Sequence, residues 1–418
     1  MAVIDDARLG IDGARIEAEL AHLGTFTQAP PPAVTRVLWT PIDMAGRGYV
    51  RGLLEAEGLD VRTDAIGTIF ARWHGADPTL APVGTGSHVD AIPNAGRYDG
   101  CYGVIGALEA IRGMRRAGVV PRRSIDLVVF ASEEPTRFGV GCLGSRLMTG
   151  AMTPETARRL HDADGVSFEE ARAAAGHTGA IESVRLEGGA YDAFIELHIE
   201  QGPVLERLGI PVGIVTAIAA PTTLRVTIDG EGGHAGALLM PDRHDALAAA
   251  SEVVLAVEAA ARASGAIDTV ATVGQLTVFP GAVNGVPSRV DLTVDARDVD
   301  AARRDATVAR IRGAIADVAA RRGVRASIAV VSDDPPATMD ARLIDALEAS
   351  ARDAAVVTHH LPSRAYHDSL FMPRTCPTAM VFVPCRDGVS HRPDEFATEA
   401  DMAAGARVLA HALARLAG

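Results

Sequence analysis

The sequence is poor in aromatic rings and in cysteine, and it has no long apolar run. Ten Phe, five Tyr and two Trp among 418 residues leave few surfaces on which nucleic-acid bases could stack. Lys plus Arg total 40 against 53 Asp plus Glu, a formal net charge of −13. Such a surface repels phosphate backbones, so no nucleic-acid partner is expected. The four cysteines, Cys101, Cys142, Cys376 and Cys385, form no CxxC pair, which excludes an obvious disulfide framework or thiolate zinc site. No uninterrupted apolar stretch approaches the ~18 residues of a membrane span. The opening MAVIDDARLG lacks the basic and apolar regions of a signal peptide, so a cytoplasmic location and no membrane partner are expected. GxSxG, GxxxxGK[ST] and HExxH are also missing. Gly84-Thr85-Gly86 has neither the third glycine nor the following helix of a nucleotide loop.

What is present is an ordinary globular balance, 48% apolar and 22% charged, over a length that suits two or three structural units. The proline-rich Ala29-Pro30-Pro31-Pro32 reads as an extended opening before the first regular element. From about residue 59, strands alternate with helices: Val83 to Ser87, helix Val104 to Ala117, then Ile125 to Ala131 and Ala193 to His198. That order predicts βαβ units and a largely parallel sheet. Past Ala219-Ala220-Pro221 the texture changes. Thr223 to Asp229 alternates apolar and polar, and a β-α-β-β-α-β series follows to Val331 before Asp333-Asp334-Pro335-Pro336 breaks the chain. The expected fold is α/β, mainly parallel, made of residues 1–216 plus 335–418, with an inserted ferredoxin-like α+β domain at 217–334.

Chemistry-bearing residues gather at expected strand ends. His88-Val89-Asp90 follows the Val83 to Ser87 strand, where open α/β sheets place their ligand crevice. Residues two apart on a strand point the same way, so Asp90 can orient the His88 imidazole. Asp99 sits in a glycine-framed loop before a helix, a position that suits an N-cap as well as a ligand. Glu133-Glu134 closes the strand IDLVVFAS. Two adjacent buried carboxylates are costly unless a positive group lies between them, although a solvated turn accommodates them too. His198 closes another apolar strand, and His391 follows AMVFVP. Nitrogen and oxygen donors of this kind suit Mn²⁺ or Zn²⁺ without choosing between them. Arg297 reads equally as a surface charge, Asn284 as a turn former and Tyr366 as core. His244 occupies one face of an expected helix and reads as structural.

The ordered series GSHVDAIPNAGRYDG, SEEPTRFG, IELHIEQGPVLE, GGHAG, GAVNGVPSRVDLTVDAR and SHRPDEF resembles the binuclear metallo-amidohydrolases that include N-carbamoyl-L-amino acid hydrolases and allantoate amidohydrolases. Within that group SRAYHDSLFM, GHAGALLMP, VTRVLWT and SEEPTRFGVGCLGSR are similar to plant-type (S)-ureidoglycolate amidohydrolases. The resemblance implies two divalent metal ions per subunit, Mn²⁺ before Zn²⁺, with Co²⁺ or Ni²⁺ as substitutes. It implies His88 and His198 on one ion, Glu134 and His391 on the other, and Asp99 bridging both. Asp90 would hold His88, Glu133 would be the general base, and His234 an oxyanion donor. Gln201, His234, Asn284, Arg297, Tyr366 and His367 would line a small anionic ureido substrate. The inserted domain would act as lid and homodimer contact, and the Asp99–Gly100 peptide would be cis. The implied reaction is ammonia release from ureidoglycolate. Allantoate or N-carbamoyl-amino-acid hydrolysis is the alternative within the group, and a metal-binding dimer without turnover is the alternative outside enzymes.

Overall fold

Helices, not the proline-rich stretch, come first. The computed structural model describes residues 6–418. In the helix Gly13–Gly24 the Asp12 carboxylate caps the first turn by accepting from Arg15 N–H, and Ile16, Leu20 and Leu23 form the buried stripe. Thr40 caps the helix Pro41–Ala56 in the same way, with proline in its first turn, where a missing N–H costs nothing. The expectation that the proline-rich stretch precedes the first regular element was therefore wrong. Spacing of three to four residues between apolar positions carried the signal, and the prolines between the helices obscured it.

The chain divides into two compact units, Met1–Thr216 with Met339–Gly418, and Ala217–Thr338. In the first, four strands run parallel in the spatial order Thr378–Val383, Ala193–Ile199, Val83–His88, Ile125–Phe130. Every residue of these strands is buried, which explains the largely apolar sequences of three of them; Val83–His88 instead carries small Gly, Thr and Ser residues. Antiparallel strands flank this core: Ile69–Trp73 and Asp60–Thr63 on one side, Val212–Ile218 on the other. The helices Cys101–Arg116 and Glu399–Ala417 bury their apolar faces in the same core. Short helices Leu143–Thr149, Pro154–Arg158 and Phe168–Ala174 build a second cluster that no sequence pattern had announced.

The second unit is a four-stranded antiparallel sheet in the order Val270–Phe279, Arg289–Asp298, Ala220–Asp229, Arg325–Asp333. Helices Ala246–Arg262 and Ala301–Arg322 share one core with Leu224, Val226, Val290 and Leu292, so both cover the same face. This is the ferredoxin-like order. Its far junction lies past residue 334, because Ala337 pairs with Ile218 and Thr338 with Ala217. His244 precedes the Ala246–Arg262 helix instead of lying on it, since Asp245 is the cap. No helix among the described residues is long and apolar enough to cross a membrane.

Candidate metal centre

His88 ends one parallel strand, and His198 lies near the end of its neighbour. Glu133 and Glu134 follow the strand Ile125–Phe130, next in line. Asp99 comes from the loop that enters helix Cys101–Arg116, where Gly100 has φ 65°. A Cβ there would lie 2.3 Å from His88 Nε2, so only glycine lets the loop approach the imidazole.

Asp99 faces both halves of the cluster. Its Oδ1 lies 3.9 Å from His88 Nε2 and 3.3 Å from His198 Nε2. Its Oδ2 lies 3.1 Å from His391 Nε2, which is itself 3.2 Å from Glu134 Oε1. Donors about 2.1 Å from a common cation stand roughly 3–4 Å apart. His88–Asp99–His198 and Asp99–Glu134–His391 therefore each have the spacing of a ligand set, and they share one carboxylate. The tautomers agree: His88 Nδ1 lies 3.1 Å from the Asp90 carbonyl and His198 Nδ1 lies 2.9 Å from the Ile199 carbonyl. Each Nδ1–H is thus spent on backbone, leaving Nε2 as the acceptor. The Nε2 of His198 accepts from Gly100 N–H at 3.0 Å, a bond that must yield to a cation.

Electrostatics follow from the crowding. Burial opposes ionisation of Asp99, but hydrogen bonds and charge from His198 and His391 hold it well below the usual carboxylate range. Burial raises Glu133 well above its ordinary value, reinforced by the charges of Glu134, Asp368 and Asp99. Hydrogen bonds to Asp99 and Glu134 raise His391 to about 11. Backbone strain collects here as well. Ser132, Cys142, Gln201 and His391 take φ of 56°, 54°, 55° and 59°, each costing on the order of 1–3 kcal/mol.

Two expectations change at the site. The Asp90 carboxylate is 3.7 Å from His88 Nδ1, so its backbone carbonyl holds the ring instead. The carboxylate accepts from the Glu133 and Glu134 N–H groups at 3.3 and 3.0 Å. Asp90 therefore positions the two glutamates, which its place one strand over permits. The cis peptides among the described residues are Pro31–Pro32 and Phe279–Pro280, so Asp99–Gly100 is trans, the form in which Gly100 N–H reaches His198. Gln201 donates from Nε2 to Asp99 Oδ2 at 2.8 Å, and its Oε1 is buried without a partner. His367 is buried with its ring 4.5 Å from that of His198, and its Nε2 lies 2.9 Å from Ser363 Oγ. Tyr366 is half-buried beside it.

His234, Asn284 and Arg297 belong to the second unit. Strands Gly233–His234 and Gly285–Val286 pair there, and Ala235 N–H donates to the Asn284 carbonyl at 2.8 Å. His234 Nδ1 accepts from Gly236 N–H at 3.1 Å, so the neutral ring carries its proton on Nε2 and presents a donor. Arg297 Nε donates to Asp295 Oδ1 at 2.7 Å.

Residues 84–415 match the family described as Peptidase family M20/M25/M40. The chain belongs to that family. It is similar to a ureidoglycolate hydrolase of Oryza sativa subsp. japonica, 48% identical over 97% of this chain and 85% of that one. It is 38% identical to an N-carbamoyl-L-amino acid amidohydrolase of Geobacillus stearothermophilus, over 97% of this chain and 99% of that one. Solved structures of AtUAH in complex with glyoxylate and with (S)-hydroxyglycine superpose at a TM-score of 0.91. Each is 46% identical and covers 98% of this chain and 99% of the other. This member of the family is a hydrolase of amide C–N bonds.

Sequence reasoning missed Ser390, Glu395, Cys142 and Asp368. Cys142 Sγ donates to Glu133 Oε1 at 3.4 Å, and Asp368 accepts from Ser145 Oγ at 2.5 Å. Ser390 and Glu395 lie in SHRPDEF, a motif already singled out for His391, so their proximity in sequence was the available signal.

Proposed function

We propose that this chain hydrolyses the ureido group of (S)-ureidoglycolate, releasing ammonia and leading to glyoxylate and carbon dioxide. The observation that carries the chemistry is the pair of ligand sets sharing Asp99, with Glu133 Oε2 3.7 Å from His88. The substrate is supported by the 48% identity to a ureidoglycolate hydrolase across nearly the whole chain.

His88, His198 and Asp99 would hold one divalent cation, and Asp99, Glu134 and His391 a second, Mn²⁺ before Zn²⁺. When bound, two such ions polarise the ureido carbonyl, acidify water and favour the ionised form of Glu133. The chain's own groups do the rest. Glu133 takes a proton from the attacking water as its oxygen bonds to the carbonyl carbon. Through a homodimer formed by 217–334, His234, with its proton on Nε2, would donate to the carbonyl oxygen of the substrate held by the neighbouring subunit as charge builds there. Glu133 passes its proton to the departing nitrogen, the C–N bond breaks, and ammonia leaves. The carbamate that remains loses carbon dioxide, leaving 2-amino-2-hydroxyacetate, whose C–N bond breaks as the hydroxyl becomes a carbonyl, giving glyoxylate and a second ammonia.

Gln201, Tyr366 and His367 would border the substrate, and Asn284 and Arg297 would bind its carboxylate, Arg297 as a two-pronged clamp. The −13 net charge makes such a local cation necessary for an anionic substrate. A homodimer formed through 217–334, with that domain acting as a lid, belongs to the same proposal.

The test is ammonia release from (S)-ureidoglycolate, allantoate and N-carbamoyl amino acids, with Mn²⁺ supplied. Fastest release from ureidoglycolate is expected. Preference for either other class would move the chain to that activity.

A further inference from the structure

Glu395 is buried and has no role in the reaction just described. Its Oε1 accepts from the backbone N–H groups of Tyr98 at 2.8 Å and Asp99 at 3.0 Å. Its Oε2 lies 2.9 Å from Ser390 Oγ, and that hydroxyl also lies 2.9 Å from Asp99 Oδ2. One side chain thus joins the loop that carries Asp99 to the loop that carries His391. The fit is tight, since a Cβ on Gly96 would come within 2.4 Å of Glu395. The join is also unequal between the two halves of the cluster. His88 and His198 lie on adjacent buried strands. His391 is 47% exposed and stands on a loop with φ 59°.

We propose that Glu395 is a positioning residue acting through Ser390, whose hydroxyl holds Asp99 Oδ2, the oxygen that faces His391. It sets the affinity of the Asp99–Glu134–His391 half for its divalent cation and leaves the His88–Asp99–His198 half, which meets the other oxygen, Oδ1, nearly untouched. The physical reason is where order comes from. A strand end is positioned by its neighbours in the sheet, whereas a loop ligand keeps its aim only through the hydrogen bonds that hold the loop. Losing an outer hydrogen-bond partner of a ligand typically costs ~10–100-fold in metal affinity. The inference rests on the proposed cation binding and adds an asymmetry to it.

Mn²⁺ titration of the metal-free full-length protein, followed by calorimetry and by bound-ion analysis, tests it. The wild type should take up two ions. Glu395→Gln and Ser390→Ala should each weaken one uptake step ~10–100-fold, with the other step and the thermal midpoint of the metal-free protein unchanged. Ser390→Ala removes only a hydroxyl, so it answers the question if Glu395→Gln folds poorly. Equal weakening of both steps, or no weakening in either variant, overturns the positioning role while cation binding stands. A wild type that takes up no Mn²⁺ overturns the cation reading itself.

Discussion

His88 and His198 are 2% and 0% exposed and belong to neighbouring parallel strands, while His391 is 47% exposed on a loop. The first pair needs no device beyond the sheet: register fixes the rings, and each Nδ1 is bonded to a carbonyl of its own segment or the next. The loop histidine meets Asp99 and Glu134, and Asp99 in turn is held by a web of Gln201, Ser390 and Glu395. A parallel sheet supplies ligands at its carboxyl edge at little cost. A second set placed off the sheet has to be held by polar groups that do no chemistry.

The largest effect separates ligands from the base. Glu133→Gln should retain both cations and lower turnover ~10²–10⁴-fold, the usual contribution of one general base. Bound-ion analysis beside ammonia release checks this. A missing ion would instead make Glu133 a ligand and add it to the His88 half, which its 3.7 Å distance from His88 Nε2 would allow.

Acidity sharpens the comparison at the loop. Hydrogen bonds to Asp99 and Glu134 hold His391 up to about 11, so the metal-free protein carries a proton there at neutral pH. The pairing helps stability fully below the ordinary histidine value of ~6.5 and fades as pH rises through about 11. A cation must displace this proton, so binding at the loop half should weaken as pH falls. Calorimetry in buffers of differing ionisation enthalpy should register proton release on Mn²⁺ uptake, and His391→Gln should remove part of it. Uptake without proton release would contradict the assignment of His391.

The smallest effect is expected outside the cluster. His244 lies 3.3 Å through Nδ1 from the Arg322 carbonyl, within the second unit. His244→Ala should cost about 1 kcal/mol or less in urea unfolding and leave ammonia release unchanged. A marked loss of activity would give His244 a part in the chemistry.

How legible this was from sequence depended on range. Strands such as Ile125–Phe130 and Thr378–Val383 announced themselves by nearly unbroken apolar runs, and the polar residues at or just past strand ends, such as His88, Glu134 and His198, stood out because polar groups rarely close such strands without reason. The ferredoxin-like order was readable from alternation and helix length. Glu395 was not, because its partners Tyr98 and Asp99 lie nearly three hundred residues away in the chain and no local pattern encodes that meeting. The role of Asp90 was misjudged for a related reason. Strand periodicity gave the direction of its side chain, but the competing donors, Glu133 and Glu134 N–H, come from the adjacent strand's end. The helices Gly13–Gly24 and Pro41–Ala56 were readable from their caps and stripes, yet Pro30 to Pro32 between them drew the reading toward an extended opening.

The most direct test of the shared-carboxylate account is electron paramagnetic resonance of the protein loaded with two equivalents of Mn²⁺. With Asp99 Oδ1 on one half and Oδ2 on the other, the two ions should be bridged and give an exchange-coupled spectrum. That spectrum should vanish in Asp99→Ala, which should also lose ammonia release. Two independent mononuclear signals in the fully loaded wild type, or a coupled spectrum that survives Asp99→Ala, would contradict it.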